Sequence, residues 1–185
     1  MKYAKIKKCD VANGVGVRVS LFVSGCEHYC KGCFNSEAWD FSYGEDYDKA
    51  IEDRIIDLLS PSYISGLTLL GGEPMHPRNR AALLPLLLRV KQVYPEKDIW
   101  CYSGYTFEEL CAGRQDDPVI DELFKCIDFL VDGRFDESLK GPNLRFKGSA
   151  NQRIIDLQNT LSSGEIVLWE GEKNQEMSNA EDKDN

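Results

Sequence analysis

No stretch of this 185-residue chain reaches the roughly 20 uninterrupted apolar residues that a membrane-crossing helix needs. Residues 1–8 hold four lysines and lack the apolar core of a secretory signal. Membrane insertion and export are therefore not expected, and a cytoplasmic protein is. A block of basic residues interleaved with aromatics is also missing: 22 Lys and Arg face 31 Asp and Glu, a formal net charge of −9. Such a chain is not expected to hold nucleic acid by neutralising phosphates, so a protein or small-molecule substrate fits better. Seven cysteines are an odd number for a disulfide framework, and the chain is not small enough to need one. Reduced thiols are expected instead. With 42% hydrophobic residues at this length, one domain with a real core is expected over residues 1–170. Residues 171–185 hold one sizeable apolar side chain, Met177, and cannot offset the entropy of ordering themselves. They read as a disordered acidic tail.

Cysteine is concentrated in one place. Cys26, Cys30 and Cys33 fall within eight residues. An electron-transfer iron-sulfur cube takes four thiolates, one per iron, and no fourth cysteine lies near this loop. Cys101, Cys111 and Cys126 are distant and widely spread, and with Cys9 they match no compact ligand loop, so they read as buried or partly buried free thiols. Three thiolates would leave one iron of a cube without a protein ligand. On the loop alone a structural zinc ion competes, since His28 would complete a Cys3His tetrahedron.

Both flanks supply context. Upstream, Asn13-Gly14-Val15-Gly16-Val17-Arg18 leads into Val19-Ser20-Leu21-Phe22-Val23, a run that suits a buried strand delivering the cysteine loop from its carboxyl end. Downstream, the loop closes with Phe34-Asn35. Residues 66–70 form a second short apolar strand that runs into Gly71-Gly72-Glu73-Pro74, a turn without bulky side chains where a ligand can approach the backbone. Taken alone, that turn would be no more than a strand-to-helix connection.

The spaced set Gly14, Gly16, Arg18, Phe22, Gly25, Cys26, Cys30, Cys33 and Asn35 resembles the signature of the radical S-adenosylmethionine (SAM) enzymes that activate glycyl-radical enzymes. Val15 stands where that pattern often has proline, which leaves both glycines in place. The resemblance covers about residues 3–158. It implies a [4Fe-4S] cluster on Cys26, Cys30 and Cys33, with SAM on the open iron. It also implies SAM contacts from Gly32, Cys33, Phe34, Gly71, Gly72 and Glu73. The N–H bonds of a chelating amine need acceptors, which backbone carbonyls or an acidic side chain at 71–73 would supply. The implied reaction is reductive cleavage of SAM to methionine and a 5'-deoxyadenosyl radical, with no catalytic residue beyond the cluster ligands.

Within that family, Gly32, residues 98–105, 131–135 and 147–153, and the absence of an inserted ferredoxin-like segment resemble the branch that acts on the anaerobic ribonucleoside-triphosphate reductase. The implied partners are the glycyl-radical subunit of that reductase and a low-potential electron donor such as flavodoxin or ferredoxin. An activator of pyruvate formate-lyase or another glycyl-radical enzyme, a small-molecule radical SAM enzyme of the deazapurine synthase type, and a zinc-stabilised interaction module are the alternatives.

Strand and helix patterns alternate through the rest of the chain. Residues 46–60 carry Ala50, Ile51, Ile55, Leu58 and Leu59 at helical spacing. Residues 77–94 predict a leucine-rich helix kinked at Pro85, with His76 at its start, and 98–102 predict a strand. Thr106 and Glu109 form a capping box, Asp117-Pro118 opens a further helix, and 127–131 predict a strand ending at Asp132. Repeated βα units predict an α/β fold with parallel strands and ligands at their carboxyl ends. The cysteine loop, Gly71 to Glu73, Tyr102 to Gly104 and Asp132 all fall there. A full eight-unit barrel takes about 250 residues, so a partial, open-sided (β/α) barrel of the radical SAM type is expected, its open side covered by a partner's loop. Tyr102, Ser103 and Asp132 either touch the nucleoside or close strand ends. His28 reads as a surface loop residue, and residues 147–153 either pack the barrel edge or contact the partner.

Overall fold

The architecture, a computed structural model describing residues 1–171, follows from apolar runs that bury one or both faces of short strands. The expected tail, apart from Gly171, lies outside the described residues. In chain order the elements are β1 (Lys2–Asp10), β2 (Val17–Val23), β3 (Glu45–Asp46), α1 (Lys49–Leu59), β4 (Ile64–Gly71), α2 (Pro77–Val93), β5 (Asp98–Tyr102), α3 (Phe107–Gly113), α4 (Val119–Cys126), β6 (Phe129–Asp132), β7 (Arg153–Asp156) and α5 (Leu157–Ser163). They form a mixed α/β fold on one sheet, in the order β3-β1-β2-β4-β5-β6-β7. The middle strands β2, β4, β5 and β6 run parallel. The edges β1, β3 and β7 are antiparallel, which the βα repetition did not foretell.

Helix starts obey local capping chemistry. The Asp48 side chain accepts the Ile51 N–H at the head of α1, and Thr106 with Glu109 closes the expected capping box on α3. Asp117 accepts the Val119 N–H at 3.0 Å, so it caps α4 with Pro118 in helical geometry. His76 caps α2 through Nδ1, and the helix runs unbroken through Pro85.

Alternation along the strands sorts two faces. Val19, Leu21, Val23, Leu67, Leu69, Ile99, Cys101 and Leu130 pack against Ile55, Leu59, Leu83, Leu87 and Leu123 of the helices. Burying each large apolar side chain contributes about 1.5–3 kcal/mol. The intervening residues face the other way. There Trp100, Val131 and Ile154 gather with Tyr102, Phe129, Phe146 and Trp169, a cluster that includes no helix residue among those described. The sheet is thus sealed by helices on one side and carries this aromatic cluster on the other.

A fully buried cation ties the inner face together. Arg18 donates to Thr68 Oγ1 at 2.7 Å and to the carbonyls of Val15, Leu67 and Asp98 at 2.9–3.2 Å, and it pairs with the Asp98 carboxylate at 2.5 Å. Removing one partner strands the other in a desolvated site. Arg18→Ala is therefore expected to lower stability by about 3 kcal/mol or more, read as a lower urea midpoint with an unchanged slope.

Candidate functional site

Two short segments that are far apart in sequence meet at the carboxyl ends of β2 and β4. The Gly72 N–H donates to Val23 O and the Glu73 N–H to Gly25 O, both at 2.8 Å, so the turn after β4 is sewn to the start of the cysteine loop. The two backbones touch: a Cβ at Gly72 would lie 2.7 Å from the Gly25 carbonyl oxygen and 3.0 Å from that of Ala38. From its other side the loop is held by Gly25 N–H to Ala38 O at 2.8 Å and Cys26 N–H to Trp39 O at 3.0 Å.

Glu73 is 1% exposed, and its carboxylate is saturated. One oxygen accepts from the Met75 N–H and the Ser103 hydroxyl, each at 2.9 Å. The other accepts from the Gly104 N–H at 2.6 Å and lies 2.9 Å from His28 Nε2. Against an ionised carboxylate, which only accepts, Nε2 must carry the proton. The His28 side chain is 8% exposed and meets Tyr105 edge-on at 4.5 Å. This corrects the expectation of a surface residue: His28 lies inward, where it latches the cysteine loop. The His28 Nε2 is committed to Glu73, which leaves that nitrogen unavailable to a Cys3His zinc site.

Asn79, 1% exposed in the first turn of α2, completes the joint. Its side-chain NH2 donates to Ser24 O at 3.0 Å and Glu73 O at 2.9 Å, with Gly25 O at 3.4 Å. Nothing local marks this role beyond a polar residue at the head of an otherwise leucine-rich helix.

A cavity of about 460 Å³ opens above this joint, within the range of small-molecule sites. Cys26, Cys33, Phe34, Gly71, Gly72 and Glu73 line it, together with Tyr102, Ser103 and Gly104. Cys30 and Gly32 do not; Gly32 packs on the Glu137 side chain. Asp132 is also outside the lining, because its carboxylate takes the Phe107 N–H at 2.7 Å and pairs with Arg153. Of the three residues expected either to touch a nucleoside or to close a strand, Asp132 closes a strand. Residues 147–153 pack the cavity edge: Gln152 accepts the Gly148 N–H and donates to Gly133 O, at 2.7 and 2.8 Å. Burial pushes the Cys26 thiol up to about 11 and raises that of Cys30. A metal taking these thiolates would displace protons. Of the other cysteines, Cys101 and Cys126 are buried and Cys111 partly so, but Cys9 is exposed, contrary to expectation. Its edge strand β1 leaves that side chain facing solvent.

The 4Fe-4S single cluster domain family matches residues 12–155. The anaerobic ribonucleoside-triphosphate reductase-activating protein of Vibrio cholerae is 47% identical over 156 residues, 83% of this chain and 97% of that protein. Its Pasteurella multocida counterpart is 44% identical over the same share of this chain and 96% of its own length. The protein of that name from Enterobacteria phage T4 is 41% identical over 83% of this chain and 93% of its own.

Asn79→Ala is expected to lower stability by about 2 kcal/mol, because buried carbonyls lose their donor. Asn79→Asp should be at least as damaging, since it sets an acceptor against them. Urea denaturation of both variants checks this, and equal stability of Asn79→Asp and the wild type would contradict it.

Proposed function

This chain belongs to the family of anaerobic ribonucleoside-triphosphate reductase-activating proteins, and on that premise we propose that it generates the glycyl radical of that reductase by reductive cleavage of SAM. Cys26, Cys30 and Cys33 would hold a [4Fe-4S] cluster, and with SAM bound beside it the site would supply one-electron cleavage to methionine and a 5'-deoxyadenosyl radical, the species that would take a hydrogen atom from a backbone glycine of the reductase. Glycine suits this chemistry, since its α-carbon has no side chain to block flattening and delocalisation into the adjacent amides.

The chain's own residues position and shield. Cys33, Phe34, Gly71 and Gly72 line the SAM site, where small residues let the ligand meet backbone acceptors. Glu73 serves there by fixing the turn, because its carboxylate is held by four donors and its backbone is bonded to Gly25, His76 and Asn79. Gly32 shapes the turn of the cysteine loop from its outer side. Ser103 and Gly104 fix the Glu73 side chain, and Tyr102, hydrogen bonded to Phe146 O at 2.7 Å, walls the cavity. A low-potential donor such as flavodoxin or ferredoxin supplies the electron.

Residues 1–170 form one domain, a partial, open-sided (β/α) barrel. Four parallel strands, helices on one face and the cavity on the other support that reading. A cavity left uncovered by the described residues suits a polypeptide substrate. A cytoplasmic location accords with the finding that, among the described residues, no helix is long and apolar enough to cross a membrane.

The observation that carries the proposal is the shared cavity: Cys26 and Cys33 line it with Gly71 and Gly72, and the two segments are hydrogen bonded to each other. The test is anaerobic. Reconstituted, reduced protein with SAM and the reductase is expected to give a glycine-centred doublet by electron paramagnetic resonance, with 5'-deoxyadenosine; an intact cluster yielding neither would refute it. Cys30→Ala should abolish cluster binding. Gly72→Val is not a clean probe of SAM affinity, since its Cβ would press on the Gly25 carbonyl beside Cys26.

A further inference from the structure

The cavity continues from the proposed SAM site to the inner edge of β1, and the charge along it is of one sign. Lys5 and Lys7 line it, and among the described residues the one acid in the lining is Glu73, which is buried and saturated. Aromatic rings carry the cations. Lys5 and Lys7 lie over Phe22, 4.6 and 5.3 Å from its centroid. At the mouth, Lys140 lies 4.7 Å over Phe34 and the Arg145 guanidinium 4.8 Å from Phe146. Among the described residues Lys7 pairs with Asp10 at 3.8 Å, an acid already holding the Ala12 N–H and the Asn13 amide. Asp136 and Glu137 face a neighbouring groove with Lys31 and Arg134. On a chain of net charge −9, a mouth edged by Lys5, Lys7, Lys140 and Arg145 is the reverse of the average surface.

Like charges along one rim repel, and ring faces hold each in place only modestly. A ligand that brings negative charge relieves that repulsion and is steered in by it. The cations stand over three separate rings instead of converging on one point, as a single phosphate would demand. This spacing suits several carboxylates on an extended chain. Resting on the function proposed above, we infer that the rim from Lys5 and Lys7 across to Lys140 and Arg145 is the docking surface for an acidic segment of the reductase, flanking its target glycine.

The test measures binding of the full-length reductase to cluster-loaded, SAM-bound protein, for the wild type and for Lys5→Glu/Lys7→Glu, across a salt series. The double charge reversal is expected to weaken binding about tenfold or more at low salt, with the gap closing as the screening length falls from about 30 Å at 0.01 M to about 8 Å at 0.15 M. Lys5→Arg/Lys7→Arg should restore wild-type affinity. If the reversed variant fails to load its cluster, Lys5→Gln/Lys7→Gln decides, with an expected loss of about threefold. Unchanged reductase affinity and salt slope would overturn the inference, as would weakened SAM binding with reductase affinity intact. A wild type that binds the reductase in this salt-dependent way but leaves no glycyl radical would count against the proposed reaction and in favour of the docking surface.

Discussion

A single buried carboxylate joins three strand ends. Glu73 receives donors from the cysteine loop after β2, from its own turn after β4 and from the loop after β5. In a site 1% exposed, each donor deprived of this acceptor costs about 1–3 kcal/mol. The four bonds therefore stand or fall together, and the loop bearing Cys26, Cys30 and Cys33 inherits their rigidity. Asn79 repeats the device with opposite polarity, one donor group for carbonyls of the same two segments.

The function follows from which atoms this joint leaves available. With the Glu73 side chain used for architecture, the small residues Gly71 and Gly72 present backbone to the cavity. The cysteine loop is brought against them with no space for a Cβ between Gly72 and the Gly25 carbonyl. Helices seal the far face of the sheet, and the cavity lies on the opposite face, where Tyr102 and Phe146 of the aromatic cluster line it. The cavity is walled by protein on one side and open on the other.

Much of this was legible in the sequence because it rests on local signals. The four parallel strands announce themselves as apolar runs ending in glycine or small polar turns, and the caps at Thr106 and Asp117 are short-range chemistry. The edges were not legible. In β1, lysines at positions 2, 5, 7 and 8 break the apolar pattern as an exposed edge strand does, and β7 is four residues long after a stretch of irregular chain. Among the site residues, the cysteine spacing and the Gly71-Gly72-Glu73 turn stood out, whereas His28 and Asn79 did not. Their partners lie 45 and 55 residues away, and nothing local distinguishes a latching histidine from an exposed one.

The central claim is that the Glu73 joint is built into the protein before any cofactor arrives. Amide hydrogen exchange on the metal-free chain tests it most directly. The Met75 and Gly104 amides, which donate to the Glu73 carboxylate, are expected to exchange slowly and to lose protection together in Glu73→Gln. Amides at those positions that exchange as fast as exposed loop amides until a cluster is loaded would contradict it.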